Sequence, residues 1–146
     1  EAFKKNPDTQ MATPVLRLNR DSLNSFRLDR KSGRVGGTTV VFDSNNNALY
    51  FSKEIIPFFD EKRSMQTESC PIFHHVGVYA YRPEILSKYH TWKESNLETL
   101  EGLEQLRFLE NSCAIKCVLV DSRGRTFWEL NNPEDVMKIE KAIRKI

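Results

Sequence analysis

Five leucines three residues apart, at positions 97, 100, 103, 106 and 109, sit between two apolar runs at 73–82 and 115–121. That spacing lays an apolar arc along one side of a helix, as a helix resting on a sheet requires. The flanking runs read as strands, the second of them of the fully buried kind. A strand, a helix and a strand in that order predict a right-handed parallel crossover. Upstream, 1–6 reads as the tail of a helix stopped by Pro7, and 11–18 as a strand centred on Val15 and Leu16. The stretches 38–42 and 48–52 flank the turn Asp43-Ser44-Asn45-Asn46-Asn47 and predict a hairpin. Pro83 opens a short helix through Tyr89. A last helix comes after Asn132-Pro133, with Val136, Ile139 and Ile143 as its inner stripe and Glu134 and Asp135 in its first turn. The segment 19–36 reads as a long polar, flexible loop. The fold class is therefore α/β with a mixed sheet, in a single domain over 1–146.

Composition narrows the function classes. A net charge of +2 over 146 residues gives no footprint for nucleic acid. The densest basic stretch, Arg27, Arg30, Lys31 and Arg34, lacks interleaved aromatics and reads as a solvated loop. No run approaches the roughly 20 apolar residues that span a bilayer, and no signal-peptide pattern opens the chain. The cysteines, Cys70, Cys113 and Cys117, are sparse and odd in number, which predicts free thiols in a reducing compartment. Their spacing is unlike a zinc knuckle.

Strand alternation places the chemistry-bearing residues of 73–82. Phe73, His75, Gly77, Tyr79 and Tyr81 share one face, and His74 points to the other, so the adjacent histidines cannot chelate one metal together. His75 and Tyr79 would lie about 13 Å apart, with Gly77 between them as a side-chain-free notch. An imidazole and a phenol about a notch suit a polyhydroxylated ligand. The competing reading is a hydrogen-bonded core histidine with a glycine that relieves crowding. On the helix, Glu98, Glu101 and Gln105 fall on a polar face, and Glu104 falls within the leucine arc. A carboxylate there needs a partner or a ligand; an intrahelical pair with Arg107 and a pocket role both satisfy that need. Phosphate-loop, dinucleotide and zinc-protease motifs are absent from the sequence.

Several blocks occur in a fixed order: Ala48-Leu49-Tyr50-Phe51-Ser52-Lys53, Ile56-Pro57-Phe58, His75-Val76-Gly77-Val78-Tyr79-Ala80-Tyr81-Arg82, Leu97-Glu98, Leu103-Glu104-Gln105-Leu106-Arg107 and Asn132-Pro133-Glu134-Asp135. Together they resemble 3-deoxy-manno-octulosonate cytidylyltransferase (CMP-Kdo synthetase) over residues 8–146. The resemblance implies a doubly wound nucleotidyltransferase domain with a projecting hairpin arm at 38–52 that serves a cytoplasmic homodimer. It implies transfer from CTP to an eight-carbon sugar acid with Mg²⁺, giving the CMP-sugar and pyrophosphate for lipopolysaccharide biosynthesis. By position, His75 and Tyr79 would contact the sugar acid, and Glu104 and Gln105 would bind its hydroxyls. Lys62 or Arg63 would pair with its carboxylate. Asn131 stands where the family has a metal-binding Asp, and a neutral amide would hold Mg²⁺ less well. The family's nucleotide segment, a strand and an Arg- and Lys-containing phosphate loop, has no counterpart here, Thr39 stands where Lys is usual, and 19–36 is longer than the family's. The resemblance therefore implies a C-terminal portion, incomplete for catalysis alone. The alternative is a non-catalytic relative that keeps sugar-acid binding or dimerisation.

Overall fold

One strand, β1 (Met11–Arg17), organises the rest of the chain in this computed structural model, which describes residues 2–35, 37–60, 70–123, 127, 129–130, 133 and 135–144. A short helix α1 (Ala2–Lys5) precedes β1, and helix α2 (Arg20–Lys31) succeeds it. The hairpin β2 (Thr39–Phe42) and β3 (Ala48–Ser52) comes next, then β4 (Phe73–His75) and β5 (Ala80–Tyr81). Helices α3 (Pro83–Tyr89), α4 (Asn96–Glu101) and α5 (Gln105–Glu110) lead to β6 (Ile115–Val120) and α6 (Asp135–Ile143).

The sheet is mixed. β3, β2, β4 and β1 are successive antiparallel neighbours, β5 also runs antiparallel to β1, and β6 runs parallel to it. Met11 and Ala12 pair with both β5 and β6, and Val15 and Leu16 with both β4 and β6, so β4 and β5 share one edge of β1. The expected parallel crossover between 73–82 and 115–121 is therefore not formed. β1 lies between the two strands, and β6 takes its parallel partner from β1 instead.

Alternation along β1 divides the core. Met11 and Val15 join Val40, Phe51, Leu106, Phe108 and Ile115 beneath α5, and Leu18 joins Leu23, Phe26 and Ile72 beneath α2. The segment expected as a flexible loop thus carries a helix. Asn19 caps it by accepting from the Ser22 N–H at 2.8 Å, and Leu23 and Phe26, one turn apart, bury its inner side. Gly33, at φ 69°, ends it in the left-handed region.

The helix expected over 97–110 is two helices. Ser95 and Glu98 form a reciprocal cap at the start of α4, and Gly102 stops it at φ 61°. The turn at Gly102 re-aims α5. Glu104 is exposed, Leu100 is 74% exposed, and Gln105 is buried. Arg107 grips Glu98 rather than Glu104, through two bonds of 2.5 and 2.6 Å. Those bonds hold the Glu98 carboxyl below its ordinary range and offset its burial. Glu101 accepts from the Ser52 hydroxyl at 2.7 Å and the Lys53 N–H at 3.0 Å, which fastens α4 to β3.

The hairpin is laid into the sheet rather than projecting from it, because β2 pairs with β4 as well as with β3. Asp43 shapes its turn by accepting from the Asn45 and Asn47 N–H groups, each at 2.8 Å. The turn then reaches the free edge of β6, where the Cys117 N–H donates to the Asn46 carbonyl at 2.8 Å and Asn47 bridges Lys116. In α6 the expected inner stripe is not buried: Val136 and Ile143 are 44% and 64% exposed. The cysteines are free thiols, with Cys113 and Cys117 buried.

Candidate functional site

The site is built by a local fault in strand pairing. Between the pairs Ala12–Ala80 and Val15–His75, β1 contributes Thr13 and Pro14, and the opposite strand contributes Val76, Gly77, Val78 and Tyr79. Pro14 has no N–H to donate, so the ladder cannot run through it. The Val76 N–H still reaches the Pro14 carbonyl at 3.0 Å. The Thr13 hydroxyl lies 3.1 Å from the Val76 carbonyl and 3.0 Å from the Val78 carbonyl, which replaces the missing backbone contacts.

The surplus residues fold the strand on itself. His75 and Tyr79, expected about 13 Å apart on a regular strand, bring their ring centroids to 5.3 Å. His75 also meets Phe51 edge-on at 5.0 Å, and its Nε2 lies 3.0 Å from Thr13 Oγ1. Gly77 is exposed, and its N–H donates to Glu129 Oε1 at 3.3 Å. The notch expected at Gly77 therefore holds a carboxylate oxygen from a remote part of the chain. Residue pattern carries no signal for Glu129 or for Thr13.

Burial sets the electrostatics. It holds the His75 imidazole down at about 4, against the opposing pull of Glu129 and with a small contribution from His74. It also drives the Tyr79 phenol well above its ordinary range, aided by Glu104, Tyr81 and Glu129. Tyr81 is pushed up to about 12 by burial and then by Glu104. Near neutral pH the cluster presents a neutral imidazole and protonated phenols beside two carboxylate side chains.

His75, Tyr79 and Glu104 are thus brought into one electrostatic neighbourhood. Gln105 is buried at the start of α5, and its Nε2 has no hydrogen-bond partner among the described residues. Lys62, Arg63 and Asn131 lie outside the described residues. His74 turns to the opposite face, as alternation requires, with its ring 4.9 Å from Phe26 and 5.2 Å from Phe127. Among the described residues, no group of three His, Cys, Asp or Glu side chains converges to hold a metal ion, and no helix is long and apolar enough to cross a membrane.

Comparison with known proteins places the chain in a family. A family model described as Cytidylyltransferase matches residues 3–118. The 3-deoxy-manno-octulosonate cytidylyltransferase of Maricaulis maris (strain MCS10) is 40% identical over 143 residues, which make up 98% of this chain and 54% of that protein. The protein of the same name from Chlamydia pneumoniae is 34% identical over 144 residues, covering 98% of this chain and 50% of its own length. The chain spans about half the length of the curated relatives it matches. The solved structure of CMP:2-keto-3-deoxy-manno-octonic acid synthetase complexed with CTP superposes on 99% of this chain and 53% of its own, with a TM-score of 0.70 at 24% identity. That likeness establishes the nucleotidyltransferase-type fold. With the mixed sheet, the interrupted strand and a family match that runs from α1 into β6, this chain belongs to the cytidylyltransferase family.

Proposed function

We propose that this chain supplies the sugar-acid end of a cytidylyltransferase that joins CTP to 3-deoxy-manno-octulosonate and serves lipopolysaccharide synthesis in the cytoplasm. The observation that carries the reading is the fold-back at 76–79, which sets His75 against Tyr79 at 5.3 Å within the fields of Glu104 and Glu129. In the reaction a sugar hydroxyl attacks the α-phosphorus of CTP. A new oxygen–phosphorus bond forms, pyrophosphate leaves, and the hydroxyl proton passes to solvent.

The contribution of this chain is binding and orientation. A neutral His75 and a protonated Tyr79 exchange hydrogen bonds with ligand oxygens without adding charge. The exposed Glu104 carboxylate accepts from sugar hydroxyls, and the Gln105 amide, whose Nε2 has no partner among the described residues, adds a donor. Lys62 or Arg63 would neutralise the ligand carboxylate. Mg²⁺, bound with the nucleotide, would neutralise phosphate charge. The hairpin at 38–52 would serve a homodimer.

Calorimetric titration tests the reading. The 146-residue chain should bind the sugar acid and should release no pyrophosphate when CTP is added. Binding of CTP with no response to the sugar acid would overturn it. A relative that has lost catalysis is favoured only if a longer polypeptide containing this chain binds the sugar acid and still fails to turn over.

A further inference from the structure

We propose that Thr13 is a positioning residue that fixes the tautomer of His75, so that His75 reads a ligand hydroxyl and not the ligand carboxylate. The Thr13 side chain is nearly sealed from solvent, at 1% exposure, and its hydroxyl meets three polar atoms. Two are carbonyl oxygens, of Val76 at 3.1 Å and of Val78 at 3.0 Å; the third is His75 Nε2 at 3.0 Å. A hydroxyl has one hydrogen and two lone pairs. Carbonyl oxygens only accept, and that of Val76 already takes the Val78 N–H at 2.6 Å, so the hydrogen serves chiefly the Val78 carbonyl. If it turned to the imidazole, both carbonyls would face oxygen lone pairs at contact distance in a part-buried site. The consistent assignment has the Thr13 hydroxyl donating towards the carbonyls and accepting from His75 Nε2–H.

That assignment decides what His75 offers. A neutral imidazole with its proton on Nε2 has its acceptor at Nδ1. Burial keeps the ring neutral near pH 7, and its second proton is lost well below that pH. An acceptor nitrogen pairs with a hydroxyl hydrogen and is repelled by a carboxylate oxygen. The threonine that braces the strand interruption through the Val76 and Val78 carbonyls therefore also sets the ligand preference of His75. This rests on the sugar-acid reading of the site.

The test is nitrogen-detected NMR on the ¹⁵N-histidine-labelled chain at pH 7, with 3-deoxy-manno-octulosonate and pyruvate as probes. Pyruvate carries the 2-keto acid and no hydroxyls. The wild-type chain should show His75 protonated at Nε2, and the sugar acid should shift Nδ1 while pyruvate does not. Thr13→Ser keeps the hydroxyl and should preserve both results. Thr13→Val should give mixed tautomers and weaken sugar-acid binding about tenfold, the loss of one hydrogen-bonded arrangement. His75 protonated at Nδ1 in the wild type would overturn the inference and leave the proposed function standing, as would an equal response to pyruvate. The expected tautomer with no response to the sugar acid would overturn both. Should Thr13→Val fail to fold, the wild-type tautomer and the pyruvate comparison decide the matter.

Discussion

His74 and His75 are neighbours in sequence, are buried to 2% and 4% exposure, and are both held at about 4 by that burial, yet their surroundings differ. His74 stands between Phe26 and Phe127, and its Nε2 has no hydrogen-bond partner among the described residues. His75 meets a hydroxyl, a phenol ring and the field of a carboxylate. Burial and a lowered proton affinity therefore do not separate a histidine seated among apolar rings from one set among polar groups. The polarity of the neighbours does. One face of the sheet is an apolar seat for α2, and the other carries an irregular strand with polar groups about it.

If the two faces are independent, the largest perturbation should fall on the first and spare the second. Phe26→Ala should cost about 3–5 kcal/mol in urea unfolding, because it empties the seat beneath α2. The His75 resonances should stay in place in the folded fraction; their loss would show the two faces acting as one unit.

Acid should act on both faces alike. Each imidazole is depressed from 6.5 to about 4, so the unfolded chain takes up protons before the folded one does. Stability should hold above pH 6.5 and fall as pH is lowered towards 4, by on the order of 3 kcal/mol per histidine. His74→Gln should flatten this slope by about half in denaturation measured across that range. An unchanged slope would mean that His74 is not sealed.

Binding should discriminate between the two where acid does not. His75→Asn should weaken sugar-acid affinity about tenfold in calorimetry, as expected for one lost hydrogen bond, and His74→Asn should leave it unchanged. Equal losses would break the contrast. The smallest effect belongs to Leu100, which lies outside both faces. Leu100→Ser should alter stability by less than about 0.5 kcal/mol, since the side chain is 74% exposed.

Much of the architecture is legible from the residues, and the misses have physical causes. The Asp43–Asn47 cluster announces its turn because its side-chain bonds are local. α2 escapes notice because only Leu23 and Phe26 mark its buried side amid arginines, although Asn19, Asp21 and Gly33 supply start and stop signals. Five evenly spaced leucines mask the break at Gly102, whose left-handed backbone outweighs the pattern on either side. In the site, alternation separates His74 from His75 correctly, but it assumes a regular strand. Pro14, within the neighbouring strand, is the available warning that the ladder fails opposite it. Glu129 comes from a distant stretch and is placed by tertiary structure alone, so no spacing rule reaches it.

The contact between the hairpin turn and β6 bears on solubility. A row of unpaired amides at the rim of a sheet is a template for recruiting a further strand from another molecule. Here the Asn46 carbonyl already occupies the Cys117 amide, and the Lys116 ammonium bonds the Asn45 carbonyl beside it. A strand arriving at that rim would have to dislodge the protein's own turn, so residues 45–47 shield this stretch of β6 from strand addition.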